Sequence, residues 1–217
     1  KYLAFIDDDD LWDRLKIEKQ VNILESNPTF GLVHSFCQVI NNIGIVQNKV
    51  IGKPETIKVK HGDVSNKMIG NWTVMMPTSF IRKDLVDKVG LFNEKMPAAG
   101  EDTEFWIRCS FYTKFYFLNE PLAYYRVHEN NISSIKKGYI QLPIHLKKVL
   151  KNQLFEKRIN LVEYKTLINN VSRLQIKNSK YGVFSSFINL FFIDFFWFVR
   201  GTSFKMLIYI LFFKNKK

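Results

Sequence analysis

The sequence predicts an α/β fold in which a sheet-containing domain is followed by a helical tail. The chain opens with a short apolar run of strand-forming residues, which stops at four consecutive aspartates at positions 7–10. A continuous apolar run with an abrupt end is typical of a strand buried on both faces, as in a parallel sheet. Strand and helix patterns follow, and from about residue 140 the apolar residues recur at helical spacing.

The four aspartates form the first candidate site. Adjacent carboxylates repel one another and raise one another's pKa, so at a buried strand end they need a compensating cation. Open α/β sheets bind ligands at the carboxyl ends of their strands. Hard oxygen ligands suit Mg²⁺ or Mn²⁺, which is commonly shared with substrate phosphates. The alternative is a solvated acidic turn that caps the next helix.

A helix is predicted over residues 14–25, directly after the acidic cluster. Ile17, Val21 and Leu24 recur at helical spacing, and Asp13 precedes them as a candidate N-cap. The lysines and arginines of this helix are expected to face solvent.

Residues 31–40 predict a strand, and residues 45–51 predict its hairpin partner across a turn at 41–44. His34, in the middle of the first strand, is expected to be a hydrogen-bonded core histidine. Shorter elements follow in the centre of the chain. They are a helix over 63–69, a strand over 77–81, a helix over 84–89 closed by Gly90, and two short strands over 116–118 and 122–126.

The composition excludes a disordered chain and indicates a basic tail. Apolar residues make up 47% of the 217 residues, which is enough for a sizeable core. The formal net charge is +12, and residues 151–217 carry 12 Lys and Arg against 3 Asp and Glu. Because these cations are interleaved with Phe, Ile and Leu, an anionic membrane surface is the expected partner, not nucleic acid. Cys37 and Cys109 are predicted to be buried thiols in a reducing compartment.

Two further motifs carry titratable residues. One opens a helix with the residues Gly100-Glu101-Asp102-Thr103-Glu104-Phe105-Trp106-Ile107-Arg108. Acidic residues are favoured in a first helical turn, so helix capping is one explanation for them. The other ends a predicted strand with the residues Tyr124-Tyr125-Arg126-Val127-His128-Glu129-Asn130-Asn131-Ile132-Ser133. In a structural interpretation, Arg126 pairs with Glu101 or Glu104.

The first motif, Tyr-Leu-Ala-Phe-Ile-Asp-Asp-Asp-Asp-Leu-Trp, resembles the Asp-x-Asp strand end of inverting, family 2 type nucleotide-sugar glycosyltransferases with the GT-A fold. The resemblance implies that Asp7 and Asp9 lie at the donor diphosphate and that Asp9 binds the divalent metal, Mn²⁺ or Mg²⁺. The motif at residues 124–133 is similar to the family's Tyr-Arg-x-His, where a loop closes over the diphosphate. This implies that His128 contacts the diphosphate or the metal and that Arg126 is a charge partner near the site.

The motif at residues 100–108 resembles the Glu-Asp motif of the same family. The resemblance implies that Asp102 is the general base that deprotonates the acceptor hydroxyl, and that Glu101 orients Asp102 or touches the acceptor. The implied reaction transfers a sugar from a nucleotide-diphosphate sugar to a saccharide or lipid-linked acceptor with inversion, in cell-surface polysaccharide or glycolipid synthesis.

The resemblance also implies a domain organisation. Residues 1–138 are expected to form a partial GT-A domain with a Rossmann-like mixed sheet. This part lacks the family's first βα units, which hold the base and ribose of the donor, so the chain is expected to be truncated at its amino terminus. Two alternatives stay open, namely a phosphatase with Asp7 as nucleophile and a non-catalytic, membrane-associated binding or scaffold module.

Residues 139–217 are predicted to form a basic helical tail that meets a membrane from about residue 181. The segment 183–199 is apolar but contains Asp194, and the segment 204–213 is too short to cross a bilayer. The tail is therefore expected to be peripheral or re-entrant on the cytoplasmic side of the cell membrane. A core or dimer helix pair is the alternative.

Overall fold

The structure, a computed structural model, describes residues 1–96, 100–129, 131, 136–199 and 208. The chain divides into two compact units. The first comprises Lys1–Phe92 and Phe105–Asn131, and the second comprises Asn93–Glu104 and Ile132–Lys217. The division of the sequence into residues 1–138 and 139–217 stays a prediction.

The first unit is built on a mixed sheet, which agrees with the predicted α/β class. Its strands are β1 (Tyr2–Ala4), β2 (Leu11–Trp12), β3 (Phe30–Ile40), β4 (Val46–Ile51), β5 (Phe80–Arg82) and β6 (Lys114–Arg126). Within the described residues the strand order is β1-β5-β3-β6-β2, and β4 pairs with β3. The β3–β6 pair is parallel, whereas the other pairs are antiparallel.

Helices complete the first unit. They are α1 (Lys16–Ser26), α2 (Ser65–Met68), α3 (Lys83–Val89) and the later residues of α4 (Glu101–Ser110). Gly90 follows α3 with a φ of 80°, a left-handed backbone conformation that glycine adopts without strain. This confirms the predicted end of that helix.

Strand β3 forms the centre of the sheet and is buried along nearly its whole length. Its hairpin with β4 is confirmed, with Cys37 opposite Ile51. His34 is also confirmed as a core histidine. Its Nε2 atom lies 2.9 Å from the main-chain oxygen of Lys60, its ring stacks on that of Trp72, and burial lowers its pKa to about 3. The predicted burial of Cys37 and Cys109 is confirmed.

Two predictions about strands are wrong. β1 lies at the edge of the sheet, antiparallel to β5, and Leu3 is 38% exposed, so it is not a strand buried on both faces of a parallel sheet. Residues 116–126 form one strand instead of two. The register between β6 and β3 shifts near Phe36, which lies opposite Pro121, and this irregularity absorbs the turn-like residues before Pro121.

The buried face of α1 differs from the predicted one. Lys16, Gln20 and Leu24 are its buried residues, whereas Ile17 is exposed. Asp13 does not cap the helix in the predicted way. Its Oδ1 atom accepts a hydrogen bond at 2.9 Å from the N–H of Leu15, the residue immediately before α1. The assignment of every basic residue of α1 to a solvated face is therefore wrong.

The second unit contains α5 (Leu142–Phe155), α6 (Leu161–Asn178) and α7 (Val183–Ile193), followed by a 3₁₀ turn over Trp197–Val199. The predicted helical character is confirmed for this part of the tail. The apolar segment 183–199 is not one helix, because α7 ends before Asp194. None of the helices among the described residues is long and apolar enough to cross a membrane. The predicted segment 204–213 lies outside the described residues, apart from Ile208.

Candidate functional site

The acidic cluster forms a tight turn between β1 and β2. The N–H of Asp10 donates to the main-chain oxygen of Asp7 at 3.2 Å. The turn separates the four side chains by environment, because Asp7 and Asp8 are exposed, Asp9 is half-buried and Asp10 is buried. The acidic turn is therefore not uniformly solvated.

Sheet pairing places the turn beside the end of β6. β2 runs antiparallel to β6, with Leu11 opposite Tyr124, so the residue before Leu11 lies beside the residues after Tyr124. As a result, the Oδ1 atom of Asp10 accepts a hydrogen bond from the N–H of Arg126 at 2.8 Å. Two motifs that are more than 100 residues apart in sequence thus meet at one edge of the sheet.

The side chain of Arg126 fastens three loops together. Its Nε atom donates to the main-chain oxygen of Asp9 at 2.7 Å, and one terminal nitrogen donates to the carbonyls of Asn41 and Asn42 at 3.2 and 3.1 Å. The rigid guanidinium fork suits several fixed acceptors at once. Arg126 therefore connects the acidic turn, the β3–β4 turn and the end of β6 through main-chain carbonyls.

His128 contacts the acidic turn directly. Its Nε2 atom lies 2.7 Å from the Oδ2 atom of Asp9, and both side chains are about one third exposed. Asn131 holds the segment around this histidine. Its side-chain oxygen accepts the N–H of His128 at 2.7 Å, and its side-chain nitrogen donates to the carbonyl of Arg126 at 3.0 Å. The structure thus places His128 against Asp9. The family resemblance implies that Asp9 binds the metal and that His128 contacts the diphosphate or the metal.

Asp10 is a buried carboxylate with a raised pKa. Burial raises its pKa to about 6, the negative charges of Asp9 and Asp7 act in the same direction, and the N–H of Arg126 opposes them. Its Oδ2 atom is buried and has no hydrogen-bond partner among the described residues. A carboxyl oxygen in this state is rare in a folded protein and is consistent with an added donor or cation at the turn.

Glu101 and Asp102 lie in the first turn of α4, in the second unit. The Oδ1 atom of Asp102 accepts hydrogen bonds from the N–H and the hydroxyl of Thr103 at 2.6 and 3.3 Å. The Oε2 atom of Glu101 is buried and has no hydrogen-bond partner in the part of the chain that the structure describes. Gly100, with a φ of 109°, supplies the left-handed backbone at the helix start. The catalytic roles of Asp102 and Glu101 stay predictions.

The sequence analysis did not predict that two polar residues of α1, Lys16 and Gln20, are buried. The Nζ atom of Lys16 donates to the carbonyl of Ser79 at 3.1 Å and lies 4.5 Å from the ring centre of Trp12. One turn later, the side chain of Gln20 donates to the carbonyl of Thr78 at 2.8 Å. Burial lowers the pKa of Lys16 to about 7. One feature of the sequence could have indicated this burial. Lys16, Gln20 and Leu24 recur every four residues and therefore lie on one face of the helix, which begins four residues after Trp12.

The ligand chemistry at the turn fits a divalent cation only in part. Asp9 and His128 supply one carboxylate and one imidazole, both of which bind Mn²⁺. No group of three or more His, Cys, Asp or Glu residues among the described positions is placed to hold a metal ion. A cation here would depend on phosphate oxygens for much of its coordination, as Mg²⁺ usually does.

Comparison with known proteins points to glycosyltransferases, although no family model matches the chain. The chain is 29% identical over 154 residues to an uncharacterized glycosyltransferase of Methanocaldococcus jannaschii, an alignment that covers 68% of this chain and 51% of that protein. It is 28% identical over 136 residues to an uncharacterized glycosyltransferase of Haemophilus influenzae, with 61% and 44% coverage.

A third relative carries a more specific name. The chain is 29% identical over 147 residues to TuaG of Bacillus subtilis, named as a teichuronic acid biosynthesis glycosyltransferase, and the alignment covers 63% of this chain and 50% of TuaG. The chain thus spans about half the length of these curated relatives or slightly less. Together the similarities support a relation to glycosyltransferases.

Proposed function

We propose that the chain carries the donor-diphosphate and acceptor chemistry of an inverting, family 2 type glycosyltransferase with the GT-A fold. The observation that carries the proposal is the 2.7 Å contact between Asp9 and His128. It joins the acidic strand end to the segment after β6, as the resemblance of both motifs to one donor site requires. The relatives named as glycosyltransferases support the same reaction class.

The reaction transfers the sugar of a nucleotide-diphosphate donor to an acceptor hydroxyl. The acceptor oxygen forms a bond to the anomeric carbon, the bond from that carbon to the diphosphate breaks, and the acceptor proton passes to the carboxylate of Asp102. A carboxylate has two oxygens with about four acceptor positions, so the hydrogen bonds from Thr103 to Oδ1 are compatible with this role. Attack opposite the leaving diphosphate inverts the anomeric centre.

The acidic turn and His128 hold the diphosphate end of the donor in this proposal. Asp9 and His128 would hold a divalent cation, Mn²⁺ or Mg²⁺, which when bound offsets the negative charge of the departing diphosphate. Arg126 keeps the turn in place through the carbonyls of Asp9, Asn41 and Asn42. Asp7 is exposed on the turn, and in this proposal the donor diphosphate would approach from that exposed side.

The acceptor class follows from the relatives and from the tail. We propose a saccharide or lipid-linked acceptor of cell-surface polysaccharide synthesis, reached from the cytoplasmic side of the cell membrane. The name of TuaG supports a polysaccharide product, and the basic charge of residues 151–217 supports a location beside anionic lipid.

Calorimetry with nucleoside diphosphates tests the donor site. We expect at least one of UDP, GDP, TDP and CDP to bind in the presence of Mn²⁺, and Asp9→Asn to weaken this binding at least about tenfold, because it removes a charged ligand. The control is Asp63→Asn, since the carboxylate of Asp63 accepts hydrogen bonds from the N–H and hydroxyl of Ser65, outside the acidic turn. Binding that is equal in wild type and Asp9→Asn, or no binding of any of the four, contradicts the proposal.

A further inference from the structure

The helix α7 shows the reverse of ordinary amphipathic burial. Its buried residues are Ser186, Asn189, Leu190 and Ile193, two of which are polar. Its opposite side carries Phe184 and Phe192, which are 78% and 66% exposed. A helix that packs on a core normally buries its aromatic residues and exposes its polar ones. The exposed phenylalanines of α7 therefore do not serve the packing of this unit.

The exposed aromatic surface continues beyond the helix. We call it the aromatic face, and its members are Phe184, Phe187, Phe192, Phe195, Phe196 and Phe198. Ring contacts link its parts. Phe191 lies 5.1 Å from Phe187 and 6.0 Å from Phe195, and Phe195 lies 5.3 Å from Phe196, measured between ring centres. These contacts connect the rings from Phe187 to Phe196, and Phe184 and Phe192 add exposed aromatic area on the same helix. Soluble monomers rarely expose an apolar surface of this kind.

Contacts on the buried side hold the aromatic face outward. The side-chain nitrogen of Asn189 donates to the carbonyl of Ile140 at 3.1 Å, and Lys147 donates to the carbonyl of Phe192. Trp197, three residues after Asp194, is fully buried. Turning the helix over to bury its phenylalanines would break these bonds and expose that tryptophan.

Most of the charge around α7 is positive, and Asp194 at the end of the helix is an acidic exception. Lys180 lies at the start of the helix with its Nζ atom 4.8 Å from the ring centre of Tyr181, and Lys147 lies at its end. Burial is the main cause of the lowered pKa of Lys147; the charge of Lys151 lowers this pKa further, and the carboxylate of Asp194 raises it. The whole segment 151–217 carries 12 basic residues against 3 acidic ones. Two copies of this basic surface would repel each other, whereas an anionic surface would be attracted.

We propose that the aromatic face is a docking surface for an anionic lipid bilayer, with the phenylalanines entering the interface and the lysines facing the headgroups. Phenylalanine on one side and lysine at the margins are the signature of helices that lie in the interface plane. The 11 residues of α7 measure about 16 Å at about 1.5 Å per residue, against about 30 Å of hydrocarbon core. The helix therefore lies along the interface.

Flotation of the full chain with vesicles tests this proposal. We expect binding to vesicles of phosphatidylcholine with phosphatidylglycerol, weaker binding at high salt, and little binding to phosphatidylcholine alone. The double variant Phe184→Ser with Phe192→Ser should bind at least about tenfold more weakly, because two aromatic side chains no longer enter the interface. Lys180→Glu should also weaken binding, and this loss should shrink as salt is added.

The matched control is Leu91→Ser, because Leu91 is 77% exposed but belongs to the first unit. It should bind as the wild type does, and circular dichroism should show that all variants keep their helices. Absence of vesicle binding by the wild-type chain overturns the proposal. Equal binding by the double variant also overturns it, as does a wild-type dimer that this variant dissociates without any vesicle binding. The test has no catalytic readout, so its outcome is independent of the proposed glycosyl transfer.

Discussion

The contact between Asp9 and His128 gives the candidate donor site its chemical character. A carboxylate and a protonated imidazole 2.7 Å apart stabilise each other, and in the proposed function both would become ligands of a divalent cation. Asn131 keeps the histidine segment against Arg126, so the pair has fixed main-chain support. In the proposed function the two residues act as one unit, and either should be needed for diphosphate binding.

The role of Asp102 is tested by Asp102→Asn. If Asp102 is the general base, the variant should lose about 10²–10⁴ in transfer rate and keep its affinity for the donor. The measurement is turnover of a nucleotide sugar that binds in calorimetry, with a suitable acceptor. Helix capping predicts a different result. Asparagine accepts the same hydrogen bonds from Thr103, so an Asn variant with near-normal turnover would show that Asp102 serves the helix start alone.

Lys16 is predicted to make stability depend on pH. Burial lowers its pKa from 10.5 to about 7, so between about pH 7 and 10 the unfolded chain binds a proton that the folded chain does not. Stability therefore rises with pH in this window and is lowest below about pH 7. From about pH 7 to 9, the free energy of unfolding of the wild type should rise by about 2 kcal/mol more than that of Lys16→Met.

Urea unfolding at both pH values measures this difference. Lys88→Met is the control, since Lys88 is exposed on α3. Its free energy of unfolding should change between the two pH values as much as that of the wild type does. If the free energy of unfolding depends on pH equally in Lys16→Met and the wild type, the prediction is wrong. Lys16 would then stay charged in the folded protein, stabilised by the carbonyl of Ser79 and the ring of Trp12.

At the level of elements, two pairings of β6 create the candidate site. β6 runs parallel to β3, which places the end of β6 beside the β3–β4 turn, and antiparallel to β2, which places the same end beside the acidic turn. The sequence predicted the acidic turn and the residues after β6 separately. It could not predict their contact from spacing, because β2 is only two residues long and has no periodicity to detect.

Other elements show where local patterns were sufficient. The β3–β4 hairpin was predictable because the apolar runs and the intervening turn are local features. The buried face of α1 was not, because it carries Lys16 and Gln20, which are satisfied by carbonyls of residues about 60 positions away. Polar groups that are paired through tertiary contacts appear in the sequence as solvent-facing residues.

The start of α6 carries a further element-scale prediction. Asn160 and Glu163 form a capping box, in which the side chain of Asn160 accepts the N–H groups of Val162 and Glu163 and that of Glu163 accepts the N–H of Asn160. Asn160→Ala should lower the free energy of unfolding by about 1 kcal/mol. Asn160→Asp is the control and should be near neutral in thermal unfolding. Equal stability of Asn160→Ala and wild type would contradict the importance of this cap.

At the scale of the whole molecule, charge is distributed unevenly along the chain. Residues 1–150 carry 20 basic and 17 acidic residues, whereas residues 151–217 carry 12 and 3. Charge asymmetry and helical periodicity are visible in the sequence, so a basic helical tail was predictable. The reversed burial of α7 was not, because a nearly continuous apolar segment does not reveal which of its faces packs inward.

The central claim is that Asp9 and His128 form a cation-assisted diphosphate site. Line broadening by Mn²⁺ in nuclear magnetic resonance spectra tests it most directly. In the presence of a nucleoside diphosphate that binds, substoichiometric Mn²⁺ should broaden the amide signals of Asp9, Asp10 and His128, while Mg²⁺ leaves their widths unchanged. Asp9→Asn should remove this broadening. No broadening at these residues, or broadening that persists in Asp9→Asn, would contradict the account.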